Sequence, residues 1–350
     1  MANKIPVAVL GATGAVGQRF VQLLENHPLF EVTALAASER SAGRRYADAC
    51  RWVIPGDPPA SLKEMIVSPL EANLPARLVF SALPADVARI LEPQFAQAGY
   101  AVCSNASAFR YEADVPLVIP EVNSDHLALI AKQRETRGWP GFIITNPNCS
   151  TTGIVMPLKP LHDAFTLKKV FAFTMQAASG AGYPGIPSLD ILGNVIPYIA
   201  GEEEKIARET RLLLGTVSGK EKHEADIMIS AHANRVPVID GHTITLSVGF
   251  ESPHTPEEAL EVLRAFGPPA DVRHLPSAPK QPLVIRDEDG RPQPRRDRDV
   301  ESGMAVSVGR VRKCPILDLL LVVVVHNTIR GAAGGSLLNG ELLVKRGLVK

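Results

Sequence analysis

The sequence predicts an α/β protein in two parts, a doubly wound parallel sheet followed by an α+β domain. Three observations carry this. Between Ile5 and Ile144 short apolar runs alternate with segments of helical period, which is the pattern of a parallel sheet covered by helices. After Asn148 that alternation gives way to long β-prone runs separated by loops and a few helices. With 350 residues the chain is long enough for two cores. The expected division is 1–148 with 328–350 for the first domain and 149–327 for the second.

Ile5–Leu10 is an apolar run without polar interruption, so it reads as a strand buried on both faces. Gly11-Ala12-Thr13-Gly14-Ala15-Val16-Gly17 follows, and a helical pattern through Phe20, Val21, Leu23 and Leu24 comes next. Glycines let the backbone turn tightly and approach a pyrophosphate, which the helix N-terminus then attracts. Gly11, Thr13, Gly14, Ala15 and Val16 are therefore candidate dinucleotide contacts. The second strand, Glu31–Ala37, ends in Ser38-Glu39-Arg40-Ser41. Hydroxyls and arginines suit the 2′-phosphate of NADP(H), provided Glu39 faces away. Ser38, Arg40 and Ser41 are the candidates there.

Arg77–Pro84 is the next strand, and its small carboxyl end nominates Ser81 for the same rim. A helix is expected through Val87, Ile90, Leu91 and Phe95, then a strand over Tyr100–Asn105 that delivers Ser107, Phe109 and Arg110. Ile143-Ile144-Thr145 runs into Asn146-Pro147-Asn148-Cys149, and a helical pattern continues to about Ala164. A cysteine at a helix start meets unpaired N–H groups and the positive end of the macrodipole. Both favour a thiolate and lower the thiol pKa. Cys149 is thus the candidate nucleophile.

In the second part, Thr166–Ala178 reads as a strand, Ser179–Gly185 as a flexible loop and Gly201–Leu214 as a charged helix. Ile227–Ile229, Arg235–Val238 and Thr243–Val248 read as further strands, and Pro256–Phe266 as a helix opened by proline. Together they suggest long antiparallel strands. Pro276–Ser302 is rich in Pro, Arg and Asp without core periodicity, and is expected to be a surface arm or a subunit contact. Met304–Val311 and Ile316–Val325 complete the sheet, and a final helix runs through Leu343.

Composition narrows the function classes. Lys+Arg and Asp+Glu both number 37, so nothing favours nucleic acid or a membrane surface, and a small-molecule ligand is expected. The most apolar run, Leu317–Val325, is under half of the roughly 20 residues a span needs. Four widely spaced cysteines show no metal pattern and read as reduced thiols. Met1-Ala2-Asn3-Lys4 leads directly into a strand, leaving no room for a signal peptide, which suggests the cytoplasm.

GATGAVG, SxRSAG, SNASAFR, NPNCSTTG, QAASGAG, GEEEK, RVPVxxGH and NTxRGAAGG occur in an order that resembles the aspartate-semialdehyde dehydrogenase family, especially its archaeal and fungal-like branch. The resemblance spans nearly the whole chain. It implies a Rossmann-type domain joined to a catalytic and dimerisation domain, an arrangement like that of glyceraldehyde-3-phosphate dehydrogenase. It also implies a homodimer or homotetramer. The implied reaction is NADPH-dependent reductive dephosphorylation of L-4-aspartyl phosphate through a thioacyl on Cys149, a step toward lysine, threonine and methionine. Gln176 would orient the acyl group and His242 would serve as acid and base. Arg235 would hold the α-carboxylate, a task suited to its planar fork. Glu203 would pair with the amino group; Lys205, Arg110 and Asn148 would hold phosphate. Ser179, Gly180 and Asn327 would surround the nicotinamide. The alternatives on the same scaffold are an acyl-CoA reductase of the malonyl-CoA type and N-acetylglutamyl-phosphate reductase. Glu203 weighs against a CoA thioester, which needs no partner for an amino group. No metal is implied.

Overall fold

The structure, a computed structural model, describes residues 4–350. Residues 1–3, on which the absence of a leader was argued, lie outside the described residues. The first sheet holds β1 (Ile5–Leu10), β2 (Phe30–Ala36), β3 (Leu78–Ser81), β4 (Ala101–Ser104) and β5 (Phe142–Thr145), ordered β2-β1-β3-β4-β5 and wholly parallel. Alternate residues enter different cores. Val7, Val9, Leu78 and Phe80 pack with Leu337, Leu338 and Leu342 of the last helix, while Ala8, Leu10, Val79 and Val102 pack with Ala88 and Phe95. Both faces are therefore covered, as the continuous apolar runs require. Helix α1 (Ala15–Leu24) connects β1 to β2, and α2 (Ala85–Gln97) connects β3 to β4.

Helix α3 (Cys149–Phe165) leaves the carboxyl end of β5 and joins the second core, where Ile154, Leu158 and Leu161 meet a six-stranded sheet. That sheet is built from β6 (Leu167–Gln176), β7 (Met228–Arg235), β8 (His242–Phe250), β9 (Leu283–Arg286), β10 (Val306–Lys313) and β11 (Leu319–Val325), ordered β9-β10-β11-β8-β6-β7. It is mixed, not antiparallel throughout: β6 pairs with β7, and β9 with β10, in parallel. Helices α4 (Glu202–Leu213) and α5 (Pro256–Ala265) cover the core side, α5 opened by a Thr255/Glu258 capping box. The other face keeps Phe171 and Phe173 partly open, beside exposed Met228 and His232. The chain ends in α6 (Gly334–Lys345), which returns to the first sheet.

Two expected strands, Ile227–Ile229 and Arg235–Val238, are replaced by one, β7. Its register against β6 ends with Gln176 opposite Arg235, and Pro237 lacks the N–H that would extend it. The 276–302 arm is also more structured than its composition suggests. It contributes the edge strand β9, and its wholly buried Asp297 takes Arg291 and Arg286 as partners. The last apolar strand begins at Leu319 and leaves Ile316 exposed. Among the described residues no helix is long and apolar enough to cross a membrane.

Candidate active site

Topology gathers the chemistry at one end of the second sheet. Gln176 and Arg235 are register partners where parallel β6 and β7 finish, His242 opens antiparallel β8, and Cys149 opens α3. Cys149 Sγ lies 3.1 Å from His242 Nε2. The other ring nitrogen, Nδ1, accepts the Ala177 N–H at 3.0 Å. Both His242 and Arg235 face Gly180, where a Cβ would come within 2.6 Å of the Arg235 guanidinium and 3.2 Å of the imidazole. Under Cys149 the approach is equally close: a Cβ on Gly331 would sit 2.6 Å from the cysteine's own Cβ.

Asn148 is the N-cap of α3. Its Oδ1 accepts the N–H groups of Ser150 and Thr151 at 2.9 and 3.1 Å, which fixes the first turn and the direction of the thiol. Its amide donates to Glu202 at 2.8 Å and its backbone N–H to Glu209 at 2.7 Å. Gln176 also donates to Glu202, at 3.0 Å. Glu203, the sequence-based choice, turns away and accepts the Ala233 N–H at 2.9 Å. The reason is helical phase. Glu202, Ile206, Glu209 and Leu213 recur on the buried face of α4, whereas Glu203 falls beside that face. Reading the helix by period would have found both Glu202 and Glu209.

Glu209 is wholly buried and also accepts from Arg110 at 2.9 Å. Arg110 donates a second bond to the Asn105 carbonyl at 2.8 Å and keeps a buried Nε without a protein partner. Lys205 Nζ stands 3.9 Å from Glu202 and is partly exposed. Arg235 is 6% exposed, donates to the Ala177 carbonyl at 2.9 Å and, among the described residues, has no carboxylate partner. A buried guanidinium without a counter-charge is a costly arrangement that an anionic ligand relieves.

The electrostatics depart from the helix-start argument. Burial pushes the Cys149 thiol up to about 12, with Glu202 adding to it; Arg235, Arg110 and the Ser150 N–H pull the other way but do not prevail. Helix dipole effects are worth up to about 2 kcal/mol, and the walls around the half-buried thiol outweigh them by desolvating the thiolate. Burial likewise holds the His242 imidazole down to about 3, helped by Arg235 and His326.

A dinucleotide would meet a fitting cradle at the other side. The α1 N-terminus has Gly14 at its cap, no side-chain cap bond and no acidic residue in the first turn, so its N–H groups stand open to an anion. A Cβ on Gly17 would lie 2.1 Å from the Gly11 carbonyl, so the loop and helix can pack this closely only with glycine there. Tyr46 Oη donates to the Ala12 carbonyl, and Gln18 donates to the Thr13 and Arg51 carbonyls while accepting the Val53 N–H. Neither staple was evident from the sequence. Ala15, Arg19, Ser179, Tyr183 and Asp240 line a cavity of about 490 Å³ between this loop and the second sheet. Val16 lies partly buried beside it.

The remaining candidates divide. Ser38 and Arg40 are exposed beyond β2, and Ser41 is buried with its N–H on the Ser38 carbonyl. Ser81 does not reach the rim: its hydroxyl is enclosed beside Glu92, because the side chain points into the helix-covered face of β3. Asn327 accepts the Gly241 N–H at 2.9 Å and donates to Ser179 Oγ at 2.8 Å, tying the 179–185 loop to the turn before His242.

Comparison with known proteins adds to this geometry. A model described as "Semialdehyde dehydrogenase, NAD binding domain" matches residues 6–130, and one described as "Semialdehyde dehydrogenase, dimerisation domain" matches 158–330. The aspartate-semialdehyde dehydrogenase of Archaeoglobus fulgidus is 50% identical over 98% of this chain and 99% of its own length. That of Saccharomyces cerevisiae is 45% identical over the full length of both. The crystal structure of aspartate semialdehyde dehydrogenase with NADP from Candida albicans aligns with a TM-score of 0.92 at 43% identity, over 99% of this chain and 100% of that one.

Proposed function

The chain belongs to the aspartate-semialdehyde dehydrogenase family, and from that premise we propose that it reduces L-4-aspartyl phosphate to L-aspartate 4-semialdehyde and phosphate, using NADPH. The observation that carries this reading is the Cys149 thiol 3.1 Å from His242, at a helix start flanked by a buried arginine without a counter-charge. Cys149 attacks the acyl carbon, the C–O bond to phosphate breaks, and a thioacyl enzyme remains. The dinucleotide, when bound, supplies the hydride that takes this thioester to the aldehyde level.

The chain's own residues hold the substrate. Arg235 takes the α-carboxylate as a bidentate donor. Glu202, in place of Glu203, takes the α-ammonium, since its carboxylate is the one facing Asn148 and Gln176. Arg110, through its free Nε, and Lys205 take the phosphate, and Gln176 orients the acyl group. Gly11, Thr13, Gly14, Ala15 and Val16 cradle the pyrophosphate, Ser38, Arg40 and Ser41 take the 2′-phosphate, and Ser179 and Gly180 border the nicotinamide, with Asn327 holding their loop. Burial is the larger cause of the raised thiol and Glu202 adds to it; a substrate ammonium paired with Glu202 offsets that added part, so substrate binding favours the thiolate.

The same reading divides the chain into a dinucleotide-binding part, 1–148 with 328–350, and a catalytic part, 149–327. Two copies pair through the open face of the second sheet, where Phe171 and Phe173 await cover. The assembly is a homodimer or a homotetramer. Four free cysteines suit the reducing cytoplasm. The test is NADP reduction with aspartate semialdehyde plus phosphate, against malonate semialdehyde plus CoA. Turnover with the first pair and none with the second supports the reading; the reverse makes the chain an acyl-CoA reductase.

A further inference from the structure

Three donors converge on one buried carboxylate. Glu209 stands on the inner face of α4, about two turns beyond Glu202, with no exposed surface. Its Oε2 accepts the backbone N–H of Asn148 at 2.7 Å, and its Oε1 accepts Arg110 Nη1 at 2.9 Å and Tyr111 Oη at 3.3 Å. Both oxygens are therefore acceptors, a combination that a carboxylate offers and an amide does not. The partners come from separate parts of the chain. Asn148 caps the helix that opens with Cys149, whereas Arg110 and Tyr111 lie in the segment after β4. Arg110 Nη2 donates to the Asn105 carbonyl at 2.8 Å, so both terminal nitrogens are held and Nε is left unpaired. The Asn105 contact stays within the segment of Arg110 itself. Glu209 is the anchor that reaches across from the second core and also grips the start of α3.

We propose that Glu209 is a positioning residue for the phosphate half of the substrate: by tying Arg110 to the backbone of Asn148, it sets the separation between the phosphate-holding guanidinium and the sulfur of Cys149. This rests on the reading in which Cys149 is the nucleophile and Arg110 holds phosphate. An acyl phosphate spans the two groups, its carbonyl carbon at the sulfur and its phosphate at the guanidinium, so the protein must match a length that the substrate fixes. Charge-assisted bonds of 2.7 and 2.9 Å to one rigid group supply that match. A role through charge alone makes the opposite prediction. The Glu209 carboxylate offsets part of the Arg110 charge, so removing it without moving the guanidinium would tighten phosphate binding.

The test is steady-state oxidation of aspartate semialdehyde by NADP, with phosphate and semialdehyde varied in turn. Glu209→Gln keeps the shape, but its amide nitrogen must face either the Asn148 N–H or Arg110, donor against donor. Either choice alters the separation. The expected result is a phosphate KM raised about 10-fold or more, with the semialdehyde KM changed by less than about 3-fold. In an Arg110→Ala background the same substitution should move the phosphate KM by less than about 2-fold, because its effect passes through the guanidinium. A lowered phosphate KM would show that Glu209 acts by charge alone. Equal increases in both KM values, or an increase that persists without Arg110, would show a merely structural role. Either result overturns the proposal. Should Glu209→Gln fail to fold, Glu209→Asp keeps the charge but is one methylene too short to span both partners, and the same split between the KM values is expected. Wild-type turnover that needs no phosphate, or a phosphate KM untouched by Arg110→Ala, refutes the underlying reading and the proposal with it, and is seen with Glu209 intact.

Discussion

Glu92 sits on α2 with no exposed surface, and one of its oxygens accepts from Ser104 Oγ at 2.7 Å. The other oxygen and the hydroxyl of Ser81 are buried beside it without further partners. Burial pushes this carboxyl up to about 7 from an ordinary 4.5, against the pull of Ser81 and Ser104. A raised carboxyl keeps its proton in the folded state while the unfolded chain has released it. Stability therefore falls as pH rises from about 4.5 to about 7 and stays lowered above that. Each tenfold difference in proton affinity is worth about 1.4 kcal/mol, so the ionised group costs the fold about 3 kcal/mol at pH 8. Glu92→Gln cannot ionise and keeps an oxygen for Ser104. Urea unfolding of both proteins at pH 5 and pH 8 should show the variant more stable by up to about 3 kcal/mol at pH 8, with little difference at pH 5. Equal stabilities at pH 8, or a wild type that gains stability across the window, would show that burial does not hold the proton on Glu92.

Other expected outcomes follow from single contacts. Gly331→Ala places a methyl 2.6 Å from the Cys149 Cβ, so the nucleophile must shift. Its kcat/KM should fall by about 100-fold or more while circular dichroism remains that of the folded protein. Glu202→Gln keeps one oxygen to accept from both Asn148 and Gln176 but loses the charge that raises the thiol. Iodoacetamide should alkylate Cys149 several-fold faster at pH 8, while the KM for semialdehyde rises; an unchanged alkylation rate would show that Glu202 does not act on the thiol. Glu121→Ala strands Arg330, whose bidentate bonds of 2.8 and 2.7 Å are wholly buried, and should cost about 3–5 kcal/mol by chemical denaturation.

What the sequence disclosed was local. An unbroken apolar run before three glycines is enough to predict β1, its turn and α1, because strand, turn and cap are fixed within about twenty residues. Cys149 was visible for the same reason: it stands where a strand-like run meets a helical one. The choice between Glu202 and Glu203 was not, because both belong to one acidic first turn and only the phase of α4 against its neighbours separates them. The direction of pairing between β6 and β7 depends on segments more than fifty residues apart. The thiol illustrates the limit most clearly. Its local environment argues for a lowered pKa, while the walls that bury it, and the Glu202 charge, come from other parts of the chain.

In the proposed reaction Cys149 carries the acyl group. The direct measurement is mass spectrometry of the protein after brief exposure to L-4-aspartyl phosphate with no reductant present, followed by acid quench and peptide mapping. One aspartyl group is expected on the peptide containing Cys149, lost on treatment with hydroxylamine and absent from Cys149→Ser. An aspartyl group on another residue, or turnover that persists in Cys149→Ser, would contradict it.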